Sequence, residues 1–189
     1  MKDQGYLGAV AVAGTVNPRW FMLFEQMNTP ESFYAVYAAY AVKARFSALD
    51  VKEMLSPSAF AHHGDLTSVG CWYYGAAVAR SGELGRVLEP GWEDNALVQR
   101  FMAENETFRR PIAGPVFLLA GGADQSVPPE SIREAAEEAC RRAVTVQFRL
   151  YPGLDHDPLM DRSTPDQLDW IERRFAGEPA PTNCGALGR

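Results

Sequence analysis

Long apolar runs are missing from this chain of 189 residues. No stretch approaches the roughly 20 consecutive apolar residues that a membrane-spanning helix needs, so no membrane span is expected. The apolar segment from Leu7 to Gly14 is too short for one. It is also a poor signal-peptide core, because Asp3 sits where positive charge belongs and no clean small-residue cleavage site follows. Basic stripes are missing too. Lys and Arg number 18 against 24 Asp and Glu, for a net charge of −6, which argues against a nucleic-acid partner. Cysteine is scarce: Cys71, Cys140 and Cys184 lack CxxC spacing and close histidines, so neither a metal site nor a cofactor is expected. An odd count leaves at least one free thiol in any intramolecular pairing, and the redox compartment stays open. No export signal is read in the chain as written, and its localisation is undecided.

What is present is an ordinary globular composition, 47% hydrophobic and 22% charged, enough for a sizeable core. Leu7–Gly14 is almost continuously apolar, as in a strand buried on both faces of a parallel sheet. A second such strand is Pro115–Leu119, and it ends in a Gly-rich turn leading to Asp124. A third, Val144–Tyr151, alternates and reads as a strand nearer the sheet edge. Between the last two, Ile132, Ala135, Ala136, Ala139 and Cys140 form one helical stripe over about 129–142. This strand–helix–strand order makes a right-handed βαβ unit. A closing helix is expected to start at Thr164 as N-cap, with Pro165 at the first position and Gln167 completing a capping box. Leu168, Ile171 and Phe175 are its expected buried stripe, and Gly177 its stop.

Residues 19–110 read differently. Trp20 to Phe46 is rich in aromatics, Met and Ala, and suits a mainly helical segment. Shorter helical pieces are expected near 50–55, 69–78 and 95–103, broken by Pro57, Gly64, Gly82 and Pro90-Gly91. A helical insertion between two sheet strands is the simplest account. The aromatics Trp20, Phe21, Phe24, Phe33, Tyr34, Tyr37 and Tyr40 could line an acyl pocket, but such a stripe is more often core.

Two loops carry the candidate chemistry, each at the C-terminal end of an expected strand, where open α/β sheets collect their catalytic groups. One holds Asp124 and the other His156, 32 residues apart. One helix and one strand fit between them, so adjacent parallel strands would present the two loops side by side. An imidazole acts as general base when a carboxylate accepts its other N–H. Acid followed by histidine in chain order also suits a hydrolase. The adjacent His62 and His63 are expected to be solvated loop residues, and Cys71 a core or lid thiol. None of the nine serines (32, 47, 56, 58, 68, 81, 126, 131 and 163) lies in a G-x-S-x-G elbow, and Ser126 is too constrained beside Asp124 to reach His156.

Over roughly 105–184 these pieces together resemble the secretory lipase family, the lipase A-like branch of the α/β-hydrolases. The resemblance rests on Asn105 to Phe108, Pro111 to Pro115, Phe117 to Asp124 with Val127-Pro128, Tyr151 to Gly153 with Asp155-His156, Trp170-Ile171, Arg174 to Gly177, Pro179 to Pro181 and Cys184. Tyr6 to Gly14 looks like the family's strand after the nucleophile elbow. The resemblance implies the C-terminal portion of an α/β-hydrolase, a mostly parallel sheet with three strands here and a helical cap insertion. Residues 1–18 and 111–189 would form the core and 19–110 the cap. It further implies Asp124 as triad acid, His156 as triad base, acyl esters as substrates, and a disulfide between Cys140 and Cys184 that leaves Cys71 free. The elbow serine and the oxyanion-hole donors are not found. Losing such a serine removes a factor of about 10⁶ in turnover, so this chain alone is expected to be inactive. The rival expectation is an inactive remnant or acyl-binding module. The partner expected for the first strand's open edge is the missing N-terminal half or a second copy of the chain.

Overall fold

The computed structural model of the chain describes residues 5–14, 17–19, 22 and 32–187. They fall into two compact units, one of Met1–Asn17 with Glu106–Arg189 and one of Pro18–Asn105.

The first unit is a three-stranded parallel sheet, β1 Ala9–Val12, β2 Val116–Gly121 and β3 Val146–Tyr151, in the order β1-β2-β3. Ala9 faces Val116 across the first ladder, and Val116 faces Val146 across the second. The middle strand is buried at all six residues, so it must be apolar on both faces. Val116, Leu118 and Ala120 pack on one side with Ile132, Ala136 and Ala139 of helix α5, Pro129–Arg141. On the other side Phe117 and Leu119 meet Trp170 of helix α6, His156–Phe175. Each such large apolar side chain contributes roughly 1.5–3 kcal/mol by leaving water, and together they bind the layers.

Chain-terminal residues finish the sheet. Asn183 lies along β3, where its side chain accepts from Phe148 N at 2.9 Å and donates to Phe148 O at 2.7 Å. Its own N–H reaches Val146 O. One asparagine thereby occupies backbone groups that an edge strand otherwise leaves open. The disulfide Cys140–Cys184 then ties the end of α5 to the single turn α7, Cys184–Leu187. Cys71 is free and exposed, not buried in a core.

Four expectations for this unit need correction. β1 is not buried on both faces: Ala9 is exposed and the rest half-buried, because it borders the sheet among the described residues while β2 takes the centre. The closing helix begins at His156, not after Thr164, and runs through Pro165. Proline inside a helix costs about 3 kcal/mol. Here the buried row Leu159, Ser163, Trp170 and Arg174 continues on both sides of it and carries the helix past. Thr164 caps nothing, since its hydroxyl bonds back to Met160 O at 2.8 Å. Leu168, Ile171 and Phe175 are exposed instead of buried, because seating Trp170 on Phe117 turns that stripe outward.

The second unit is helical: α1 Tyr34–Arg45, α2 Pro57–Ser68, α3 Trp72–Ser81 and α4 Ala96–Asn105. Ala35, Val36, Ala39 and Val42 put one face of α1 into a core with Phe33, Leu49, Met54, Leu66 and Leu88. Pro57 starts a helix instead of breaking one, because Ser56 caps it by accepting from Ala59 N. Gly64 lies within the same helix. His62 and His63 are therefore helical residues, not loop residues; His63 stacks on Phe60 and Tyr40, and His62 Nε2 is 3.6 Å from Glu83. Phe33, Tyr34, Tyr37 and Tyr40 join this core, while Trp20, Phe21 and Phe24 lie outside the described residues. Among the described residues no helix is long and apolar enough to cross a membrane.

Candidate active site

Parallel strands β2 and β3 end side by side, so the loops that follow them meet. What lets them meet is glycine. A Cβ on Gly121 would stand 2.5 Å from Leu154 O, and one on Gly122 3.1 Å from Pro152 Cα, so any larger residue at Gly121 would push the loops apart. Across this seam Gly122 N donates to Tyr151 O at 2.8 Å and Ala123 N to Leu154 O at 3.0 Å.

The seam carries two acids and one base. Asp124 is buried, and its Oδ1 accepts from Ser126 N at 2.9 Å and from Val127 N at 2.7 Å. These two bonds fix the carboxylate plane and aim Oδ2 across the seam, where it lies 2.9 Å from His156 Nδ1. The Asp124 side chain is 0% exposed and that of His156 35% exposed, so the carboxylate is shut from water while the ring reaches it. An ionised carboxylate only accepts, so Nδ1 is the donor and the neutral ring presents a bare Nε2. Nε2 has no hydrogen-bond partner among the described residues.

Asp155, which carries no catalytic signature in the sequence, locks the arrangement. Its Oδ1 accepts from His156 N at 2.8 Å, capping α6, and from Gln125 N at 3.0 Å in the opposite loop. One carboxylate oxygen thus clamps the loop bearing the acid to the helix bearing the base. Aspartate directly before a helical run is an N-cap signal, but the Thr164-Pro165 signal downstream competed with it.

The sequence-predicted residues Asp124 and His156 are therefore in contact. Of the serines in this unit, Ser131 donates to Pro128 O and Ser163 accepts from Gln167 Nε2 in the interior. Ser126 engages Asp124 through its backbone. Among the described residues no group of three or more His, Cys, Asp or Glu could hold a metal ion.

The sheet is parallel and covered by helices on both faces, and the Asp124–His156 contact lies over the C-terminal ends of β2 and β3. Solved structures agree on the fold. Candida antarctica lipase A superposes with a TM-score of 0.72 at 15% identity, covering 94% of this chain and 44% of the lipase. A Legionella pneumophila protein gives 0.73 at 13% identity, over 92% and 50%. The rice cell wall degrading esterase LipA from Xanthomonas oryzae gives 0.63 at 12%, over 89% and 49%. No family model and no curated protein matches the chain. The chain spans about half the length of these structures. It has the fold of an α/β-hydrolase portion, similar to lipase A as its motifs suggested.

Proposed function

We propose that this chain supplies the acid and base of a Ser-His-Asp carboxylic-ester hydrolase, an esterase or lipase. The observation that carries the reading is the 2.9 Å contact between a fully buried Asp124 carboxylate and His156 Nδ1, with Nε2 left open. His156 Nε2 takes the proton of a serine hydroxyl as it attacks the ester carbonyl. Asp124 holds the ring's tautomer and offsets the positive charge that forms. The imidazolium then hands the proton to the leaving alcohol, and water releases the acid from the acyl-enzyme by the same relay. A further polypeptide would supply the serine and the oxyanion donors, pairing with the edge of β1 that no strand covers among the described residues. We assign the helical unit the part of a cap insertion. Lipase and esterase relatives in fold support acyl esters as the substrate class, by analogy alone.

The test is p-nitrophenyl butyrate hydrolysis by the chain, with and without the polypeptide encoded just upstream of it, alongside His156→Ala and a fluorophosphonate label. Turnover by the combined protein, lost by about 10⁶-fold in His156→Ala, with label on an upstream serine, is the expected result. Turnover indifferent to His156 would sink the reading. An inert, unlabelled combined protein would leave an acyl-binding module in its place.

A further inference from the structure

Met160, Leu168, Ile171 and Phe175 are exposed along one side of α6, Phe175 at 78% and Leu168 at 54%. Apolar residues at this spacing mark a helix face made for burial, yet α6 already has a buried face in Leu159, Ser163, Trp170 and Arg174. The helix thus carries two such faces, and the described residues cover one. At 3.6 residues per turn the exposed residues lie about 80–160° around the helix from Trp170, with Thr164 among them. The Thr164 hydroxyl bonds back to Met160 O, so it adds a methyl group and no free donor. No charged side chain falls within this stripe from Met160 to Phe175, over about 22 Å of helix. Single exposed apolar residues are ordinary, but a contiguous strip of them is the signature of an interface.

The stripe faces one particular way. Asp166 lies about 40° to the other side of Trp170, where it meets Arg149 and Tyr151 of β3. β3 therefore flanks one side of α6 and the stripe flanks the other, which in the order β1-β2-β3 is the side of β1. Trp170 reaches the start of β1, since a Cβ on Gly8 would stand 2.6 Å from its indole ring. On β1, Ala9 N and Ala13 N donate toward β2, to Pro115 O and Leu119 O at 3.0 and 2.9 Å. Backbone directions alternate along a strand, so Val10 and Val12 turn their N–H and C=O groups to the edge that no strand covers among the described residues. Their side chains pack against the cluster of Phe117, Leu119 and Trp170 and are only half-buried. Open strand edge, half-covered valines and apolar stripe are neighbours on one flank of the sheet unit.

We infer that this flank is one docking surface for a strand–helix segment of the further polypeptide to which the proposed function assigns the serine. The strand pairs with Val10 and Val12, and an amphipathic helix lays its apolar face along Met160, Leu168, Ile171 and Phe175. The inference rests on the hydrolase reading for the identity of the partner, not for the surface. This chain spans about half the length of the solved structures it superposes on, and those structures have room for such a segment in the remainder. Asp161 and Glu172, both exposed, border the stripe on its solvent side, so the docking helix carries basic residues along that border. A second copy of the chain is the poorer occupant. Two α6 helices laid antiparallel about a twofold axis would set Asp161 of one copy against Glu172 of the other, like charge on like.

The probe is the polypeptide encoded just upstream, produced separately, labelled with a fluorophore and titrated with the full chain by anisotropy in the absence of substrate. Saturable binding is expected, with the amides of Val10 and Val12 protected from hydrogen exchange in the complex and open in the chain alone. Leu168→Asp and Phe175→Asp should each weaken binding by about 30-fold or more. Both side chains are exposed, so these variants should keep the parent's urea midpoint. Asp161→Lys should slow association by a few-fold, most at low salt. Where the upstream polypeptide is insoluble alone, co-purification from co-expressing cells reads the same variants. Absence of binding, or binding that Leu168→Asp and Phe175→Asp leave unchanged, overturns the inference. So does a dimer of the chain that Phe175→Asp dissolves and the upstream polypeptide does not displace, since the occupant is then a second copy. A complex that docks as described but hydrolyses no ester counts against the hydrolase reading and leaves the docking surface standing.

Discussion

Replacing Asp124 by asparagine changes one atom of the carboxylate into an amide nitrogen, and the structure dictates which one. Oδ1 accepts two backbone N–H groups, from Ser126 and Val127, whereas Oδ2 meets only His156 Nδ1. Turning the new NH₂ toward the backbone would oppose two buried donors, at about 1–3 kcal/mol each. Turning it toward the histidine sacrifices one charge-assisted bond. The second orientation wins by a few kcal/mol. The amide N–H then faces Nδ1, which must accept, so the neutral ring carries its proton on Nε2. That is the wrong tautomer for a base at Nε2.

The consequence is measurable without any substrate. Two-bond ¹H–¹⁵N correlation of the His156 ring at alkaline pH should show Nδ1–H in the parent chain and Nε2–H in Asp124→Asn. Folding should survive, since both Oδ1 bonds are kept. In the combined hydrolase the same substitution should lower turnover by about 10⁴-fold, the scale known for this tautomer error in Ser-His-Asp enzymes. An Asp124→Asn chain that keeps its proton on Nδ1 would refute the reasoning.

Three further outcomes follow from the same unit. Cys184→Ser opens a loop with a sequence separation of 44; chain entropy puts the loss near 4 kcal/mol, to be read from urea midpoints with and without reductant, and a loss of only a few tenths would reject it. Gly121→Ala places a methyl 2.5 Å from Leu154 O; backbone must yield, costing about 1–3 kcal/mol and weakening the Nδ1–H signal of His156 as the loops part. The Asp166 carboxyl is held below the usual range, first by hydrogen bonding from Arg149 and then from the Tyr151 hydroxyl, against opposing burial. A carboxyl lowered on folding stabilises fully above its unfolded value, and that contribution is lost as pH falls through the lowered one. Urea midpoints across the acidic range should therefore slope less in Arg149→Met, and an unchanged slope would contradict the pairing.

The parts of the fold that could be read in advance are those written in local pattern. β2 is legible because a strand buried on both faces has to be a continuous apolar run, and α5 because Ile132, Ala136 and Ala139 recur at helical spacing. Asp124 and His156 were legible because topology alone puts successive strand ends together. Where reading failed, tertiary burial had outvoted local punctuation. Pro165 looks like a helix start, yet the row from Leu159 to Arg174 makes the helix longer than its capping signals. Leu168, Ile171 and Phe175 share a stripe, but which stripe faces the sheet is decided by Trp170 against Phe117, a contact between distant segments. His63 was misplaced because Gly64 suggested a break that packing against Phe60 and Tyr40 removes.

The bonds that organise the acid and the base all lie within residues 121–156. Two backbone amides orient Asp124, Asp155 ties both loops together, and glycine at 121 permits the seam. None of them needs a nucleophile to be present. If the contact formed only when a serine arrived, the buried Asp124 carboxylate would face His156 in no fixed geometry until then, at the cost that a buried charge bonded on one side only incurs. A carboxylate already satisfied at one oxygen by two amides and at the other by an imidazole is instead preorganised, and preorganised dipoles are what lower a barrier without rearranging during reaction. Half of the proposed mechanism is therefore testable in these 189 residues alone, through the tautomer of one histidine.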